Sequence, residues 1–595
     1  MKLESHYIRL RQQLPSSAET ASLDITLDEI AAALGCTHRN AVLLLKRMSD
    51  NGWISWSPER GRGKKSKLTF LARTEDVIIQ LAQDLVQKKD LRGALEQMNV
   101  SEVPATLKDH FHNWLNGHFG HSSELRNDKR IDRLRFPVTS KIATLDPLHM
   151  NFAAESQIVN QLFDSLVRYN RVKQTTEPHL AHAWETDDGR TAWTFYLRKG
   201  VLFHHGRELT ADDVVYSLHR LKTSPSRLLY RWVYEQMDTI EALDPITVRI
   251  RLHEPNELFL PFLGTNRASI VPKDICEERG DRFGSAPIGT GPFRLSRHDA
   301  SISVLEAFPS YFQGRAHLDE VELWHLPDMQ AAEAPGSMES FQIIHNYRLP
   351  EEPSEGWNQA ERSGATCKFV TFNLLKQGPL ENEEVRAAVY ETLSPGSLLR
   401  ELKADNAAPL VSFVGEAADD ADHGAANDPE ASRTRLFQAG YRGETIRLCT
   451  IPHYEQDALL LQQLARQSGL KLEVMLLPVE DFKGERRLHA DLLLFSLILD
   501  NDVELRLIDL YNSMQNHLKP EVKALVRQRL KRILGEPSRE LRLELFREIE
   551  TALTDRRQLL FLYRRNLRTV FHSSVKGISL DSPDNVQFKN IWFKL

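Results

Sequence analysis

Cysteine is scarce: Cys36, Cys276, Cys367 and Cys449 are the only four in 595 residues, and no two lie close in sequence. That scatter argues against a disulfide framework or a C-x-x-C metal or redox motif, and four separate buried thiols are expected instead. Long apolar runs are also missing. The longest, residues 492–499, is far shorter than the ~20 residues that span a bilayer, so no membrane partner is expected. The opening segment MKLESHYIRLRQQLP mixes charged and apolar residues without an apolar core, so it does not read as a secretory leader and a cytoplasmic location is expected. No G-x-S-x-G, H-E-x-x-H or Walker pattern occurs, and the chain is read as a non-enzyme without cofactor or metal centre. Gly63-Lys64 is no exception: Pro58 stands where a phosphate loop needs glycine, and Lys65 where it needs Ser or Thr.

What is present is ordinary globular material, 41% hydrophobic and 27% charged, in a chain long enough for several domains. The net charge of −6 hides an asymmetry. Residues 1–70 hold eleven Lys and Arg against seven Asp and Glu, a surplus of four positive charges, which leaves −10 on the rest. A basic head on an acidic body implies that only the head meets a polyanion.

The head has the pattern of a winged helix-turn-helix, assigned to residues 1–72. A first helix carries Tyr7, Leu10 and Leu14 and ends at Pro15. Thr26 and Glu29 form a capping box for a second helix, with Leu27, Ile30, Ala31 and Leu34 inward and Gly35 stopping it. Thr37 opens a third helix, whose inward stripe is read as Ala41, Val42, Leu45 and Met48. Its leading edge, Thr37, His38, Arg39 and Asn40, with Lys46 and Arg47 further on, offers side chains that read base edges. A hairpin wing follows, with Arg60, Arg62, Lys64, Lys65 and Lys67 placed to meet phosphates. Double-stranded DNA is therefore the expected partner of the head.

Residues 73–130 are assigned as a connector, helical from 74 to about 126, with Val77, Ile78, Leu81, Leu85, Leu91, Leu95 and Met98 at amphipathic spacing. His118 and His121 have the spacing of a helical ligand pair, but no acid or cysteine joins them at a fitting offset. A helical connector, unlike a Gly/Ser tether, can transmit motion.

Residues 177–221 carry the body's most specific signal. Trp193, Phe195 and Leu197 alternate as in a strand with one buried face, and Thr210 with Asp213 opens a helix. The stretch closely resembles the signature of the large solute-binding proteins of the oligopeptide, dipeptide and nickel class: P-x-L-A-x-x-W, a D-G turn, F-x-L-R-x-G-V-x-F-H-x-G, then L-T-A-x-D-V. Further matches are Leu145-Asp146-Pro147, Leu162 to Leu166 (read as helix), Pro287 to Phe293, and Val385-Arg386-Ala387-Ala388. The resemblance implies a two-lobed, type II periplasmic-binding-protein-like α/β body, with lobe I at 131–368, lobe II at 369–562 and a return to lobe I at 563–595. The head segments Gly52-Trp53-Ile54-Ser55-Trp56 and Gly61 to Phe70 extend the likeness to the SgrR-type regulator family, in which a winged helix is fused to such a body.

The resemblance implies a ligand-responsive, DNA-binding transcriptional regulator that senses a small solute (a sugar, sugar phosphate or peptide-like molecule) in an interlobe cleft. Leu145, Asp146, Asn373, Asp500 and Asp502 are the candidate ligand-binding residues. The family's G-W-x-x-D-x-x-D-P element is incomplete here, with the aspartates kept and the glycine, tryptophan and proline absent, so an acidic anchor for a peptide amine is in question. A second reading keeps the body as a transporter-type solute receptor and gives the head protein contacts. Oligomeric state is left open.

Overall fold

The computed structural model describes residues 3–14, 22–59, 64–99, 103–138, 142–150, 152–170, 173, 175–224, 228–326, 343–345, 356–393, 395–402, 407–415, 428–498, 503–578, 580–582 and 585–594. The head packs helices Leu3–Gln13, Leu27–Leu34 and His38–Asp50 against a three-stranded antiparallel sheet, in which Ser66–Phe70 lies between Ser22–Ile25 and Ile54–Ser57. The capping box forms as read: the Glu29 amide donates to Thr26 Oγ1 at 3.3 Å and the Thr26 amide to Glu29 Oε2 at 2.8 Å. Tyr7 sits at the centre of the core, edge-on to Trp53 and Phe70, with its hydroxyl donating to the Ala72 carbonyl at 2.6 Å. One inward position is corrected. Ala41, Leu44, Leu45 and Met48 are buried in the third helix, whereas Val42 is 49% exposed. Residue 42 lies about 100° around the helix from Ala41, off the i, i+3, i+4, i+7 stripe that faces the core.

Three connector helices follow, Thr74–Gln87, Leu91–Met98 and Ala105–Asn116. The helical expectation fails beyond them. Gly120–Arg126 is a strand, hairpinned to Lys129–Val138, and both belong to a five-stranded sheet of the body. Asn127 and Asp128 both adopt left-handed backbone conformations at the hairpin tip, which these residues tolerate and helices do not continue through. His118 and His121 accordingly do not share a helix face. His118 bonds the Trp114 carbonyl at 3.1 Å, while His121 pairs with Asp132 at 2.8 Å and stacks on Phe593.

The connector is packed firmly at both ends. Val77 joins the head's core, while Ile8 of the head packs against the connector's cluster. That cluster also holds Ile302, Val304, Trp324 and Leu326 of the body's five-stranded sheet. Lys89 Nζ lies 2.6 Å from the fully buried Glu322, which also receives Arg135 and the Trp324 indole N–H. Burial pushes the Glu322 carboxyl up, but hydrogen bonds to Lys89 and its neighbours outweigh that and hold it well below the usual range.

Besides this sheet, the first half of the body has a four-stranded antiparallel sheet containing Ala192–Leu197, whose Trp193, Phe195 and Leu197 point inward as the alternation requires. The second half is built on a mixed sheet with the parallel unit Ile446–Thr450, helix Glu455–Gln467, Leu472–Leu476. Two long antiparallel strands, Trp357–Phe372 and Leu559–His572, run between the halves. Their register slips between Arg362 and Thr366. Helix Val503–Met514 and the two helices after it share one apolar cluster with the four-stranded sheet, and the Tyr230 amide donates to Asp509 at 2.8 Å across this seam.

Candidate functional site

The head presents the first candidate surface. Thr37 caps the third helix, its hydroxyl accepting from the Asn40 amide at 3.4 Å. His38 pairs with Asp28 of the preceding helix. Arg39, Asn40, Lys46 and Arg47 are exposed, as are Lys64, Lys65 and Lys67 of the hairpin. Arg60 and Arg62 lie outside the described residues. Arg39, Leu43 and Lys46 follow one another at i, i+4 and i+7, with Val42 beside them, so the outer stripe of this helix mixes cations with two exposed apolar side chains. Sequence reasoning missed this apolar component by placing Val42 in the core.

The second candidate is a cavity of about 310 Å³ at the seam of the body. Its walls come from several stretches of the chain, residues 261–269 and 311–313 among them. Helix Ala153–Leu162 and the chain after it contribute Ser156, Asp164 and Arg168. The C-terminal segment contributes Lys589, and the first turn of helix Val503–Met514 contributes Arg506. Asp164 forms the floor. It accepts from His179 Nε2 at 2.7 Å, Thr290 Oγ1 at 2.8 Å and Tyr311 OH at 3.0 Å. Burial pushes its carboxyl up, but the adjoining His179 and these hydrogen bonds outweigh that and keep it below the ordinary range. Beside it, Lys589 Nζ lies 5.7 Å from the Tyr311 ring centre.

The residues that build this floor come from separate pieces of the sequence pattern. Asp164 belongs to the 162–166 element, expected to be helical; the helix ends at Leu162, and Phe163 is already extended. His179 stands at the start of the 177–221 stretch, and Thr290 in the Gly/Pro-rich turn of residues 286–293. That turn is pressed onto the end of the helix: a Cβ at Gly289 would fall 2.0 Å from the Leu162 carbonyl oxygen, and one at Gly291 2.5 Å from that of Gln161. His204 locks it from the other side, receiving the Gly289 amide at 3.2 Å on Nδ1 and bonding the Gly291 carbonyl through Nε2 at 3.0 Å.

Of the residues singled out from sequence as ligand contacts, Leu145, Asp146 and Asn373 are not among the described residues that line this cavity. Leu145 is fully buried in the lobe core. Asp146 is buried, caps its own turn by accepting from the Leu148 amide at 3.0 Å, and pairs with Arg220 at 2.6 Å. Asn373 spends its amide on the Leu488 and Ala490 carbonyls, at 2.8 and 3.0 Å, far along the chain from the other two. Asp500 and Asp502 fall outside the described residues, immediately before the helix that carries Arg506. The cavity cations were not legible beforehand, because Arg168 stands 338 residues before Arg506 and Lys589 another 83 after it, and they belong to no shared motif.

Comparison with known proteins agrees with this two-part architecture. Residues 2–122 match the family described as the N-terminal region of sugar transport-related sRNA regulators, and residues 175–513 match the middle region of family 5 bacterial extracellular solute-binding proteins. The HTH-type transcriptional regulator SgrR of Escherichia coli K12 is 35% identical over 67% of this chain and 66% of its own length. The YhjP protein of Bacillus subtilis strain 168 is 30% identical over the full length of both chains. The chain belongs to the SgrR-type regulator family. Solved structures of similar fold include periplasmic and oligopeptide-binding proteins. DppA of Helicobacter pylori, determined with the peptide STSA, aligns with a TM-score of 0.67 at 19% identity, covering 78% of this chain and 98% of that one. AppA of Bacillus subtilis, determined with a nonapeptide, aligns at 0.63 and 18%, covering 78% and 99%. At such identities the likeness concerns the fold. In this SgrR-type protein, as in those receptors, the body is a two-lobed α/β unit, and no described helix is long and apolar enough to cross a membrane.

Proposed function

We propose that the protein is a cytoplasmic transcriptional regulator whose head binds duplex DNA and whose body senses a small solute in the seam cavity. The outer stripe of the third helix suits the major groove. Arg and Asn can bond guanine and adenine bidentately, and apolar side chains such as Val42 and Leu43 suit thymine methyls. The exposed Lys64, Lys65 and Lys67 suit phosphate contacts beside the groove. A DNA target suits a cytoplasmic location.

The observation that carries the sensing half is the unbroken packing from head to crossing strand. The head's core takes in Val77, the connector's cluster takes in Ile8, and the same cluster receives Trp357. Trp357 is the first residue of the strand Trp357–Phe372, one of the two that run between the halves. A solute that favours one arrangement of the halves therefore acts on a strand whose end is packed against the DNA-binding unit, which is the physical requirement for coupling two sites.

The test is fluorescence anisotropy with a genomic fragment pool, followed by selected fragments. Binding is expected to weaken about a thousandfold between about 50 and 200 mM salt if six or more phosphates are contacted. Lys64→Glu with Lys65→Glu lowers affinity for all sequences, while Arg39→Ala mainly relaxes sequence preference. Failure of the purified protein to retain any fragment at low salt rejects the reading.

A further inference from the structure

We infer that the turn centred on Lys89 is a key that sets the register of the connector on the body, and with it the position of the DNA-binding head. This rests on the proposed DNA-binding role of the head and specifies how the body holds it. The turn joins helices Thr74–Gln87 and Leu91–Met98, and it breaks a rule that the chain otherwise keeps. The Lys89 amide donates to the Val86 carbonyl at 2.8 Å and the Asp90 amide to the Leu85 carbonyl at 2.9 Å, the paired bonds that stop a helix at a left-handed residue. Lys89 is that residue, with a φ of 59°. The same pair of bonds stops helices at Gly35, Gly52, Gly440 and Gly469, where glycine takes a positive φ without a Cβ to crowd the carbonyl. Among the described residues, Arg557 is the one other exception. The backbone disfavours a lysine in this position, so the reason for one lies in its side chain.

That side chain reaches the body. Lys89 Nζ lies 2.6 Å from Glu322, on the strand Glu320–His325, whose side chain is 1% exposed. The main chain of the turn makes two further bonds to the body. Arg297, on the strand Phe293–His298, donates to the Lys89 carbonyl at 3.1 Å, and Ser301, just beyond that strand, accepts the Arg92 amide on Oγ at 3.0 Å. Arg92 stands in the first turn of its helix, where amides have no partner within the helix. Asp90 takes the next of these amides, that of Gly93, at 3.0 Å. The body thus completes both the end of one connector helix and the start of the next.

These three bonds do what the apolar contact cannot. Ile302, Val304, Trp324 and Leu326 bury the connector on the sheet, but apolar contact is non-directional and tolerates sliding. A bond to a buried carboxylate at one fixed point does not, because a slip of one helical turn would carry Lys89 about 5 Å from Glu322. Fixing register is an attested use of a buried ion pair. The sheet itself does not need the lysine: Glu322 keeps Arg135 at 3.0 Å and the Trp324 indole N–H at 3.0 Å. Lys89 is specific to the joint. Register matters for DNA because the residues beyond the head carry −10, so the field that a duplex meets depends on where the head sits against them.

Hydrogen exchange of the full chain, read by mass spectrometry, and anisotropy with a selected DNA fragment test this. Lys89→Gly supplies the residue that the backbone prefers, so a lysine that only stopped its helix would leave exchange in that variant unchanged. Instead, Lys89→Gly and Lys89→Met are each expected to exchange about tenfold or more faster over residues 85–95, while residues 38–50 of the head and 302–307 of the body keep their rates. Ser301→Ala acts on the Arg92 amide from the body side and changes no charge. It should loosen the same residues, and it serves if the Lys89 variants do not fold. Affinity for the fragment should shift about fivefold or more in all three, with the salt dependence of the wild type. The inference is overturned if the connector of these variants exchanges like the wild type, or if its loosening leaves DNA affinity unchanged. A reduced salt dependence in the Lys89 variants also overturns it, since Lys89 would then be a phosphate contact. Should the wild type retain no fragment, the DNA-binding reading fails, and the exchange rates still decide whether the turn fixes the connector.

Discussion

At the scale of single residues, His517 shows how burial sets a pH response. It is fully buried, neither ring nitrogen has a hydrogen-bond partner among the described residues, and burial followed by the Arg487 charge lowers its pKa to about 3. The unfolded chain protonates this imidazole near 6.5, so between about 6.5 and 3 the unfolded state binds a proton that the native state refuses. Its contribution to stability is therefore complete above about 6.5 and is lost as pH falls, by about 2 kcal/mol between pH 7 and 5. Urea unfolding at those two pH values should show a smaller loss for His517→Leu than for the wild type; equal losses would remove His517 from the account. Residue types alone did not reveal such roles. Asp146 was a candidate ligand contact within the Leu145-Asp146-Pro147 match, and its carboxylate accepts from Arg220 and from its own turn. Asp164, in an equally ordinary context, lies beneath the cavity.

Among the elements, the Gly/Pro turn of residues 286–293 has the strictest steric demand. Gly289 and Gly291 are required there by close approach to the end of helix Ala153–Leu162, not by an unusual φ. Gly289→Ala would force its Cβ onto the Leu162 carbonyl oxygen, which is main chain and cannot rotate aside. The expected cost is about 3 kcal/mol or more by denaturant midpoint, together with weaker solute binding because Asp164 follows directly on that helix end. A loss below about 1 kcal/mol would mean the backbone relaxes readily. The capped helices of the head were legible because each carries its stop and start signals locally. The hairpin at 120–138 was misread although its signals were present: Asn127-Asp128 at the tip, and Leu134 and Phe136 alternating with Arg133 and Arg135. Leucines at mixed spacing in the preceding helices masked the change from a period of 3.6 to one of 2.

Over the whole molecule, the decisive feature is that the described parts of head, connector and body are joined by apolar packing through Val77, Ile8 and Trp357. Trp357→Ala removes the contact between the crossing strand and the connector's cluster. Solute affinity should change little, while a solute-dependent change in DNA affinity of about 5- to 150-fold should collapse toward unity. Anisotropy titrations with and without a responding solute measure both, and undiminished coupling in the variant would place the route elsewhere. The order of parts, a basic winged helix ahead of a two-lobed α/β body, was written in the sequence alone, because caps, alternation, turn residues and charge asymmetry act between near neighbours along the chain. The cavity was not. Arg168, Arg506 and Lys589 meet only when the end of one helix, the start of another and the C-terminal segment are packed together, so the character of the site was decided by contacts across hundreds of residues that no local pattern encodes.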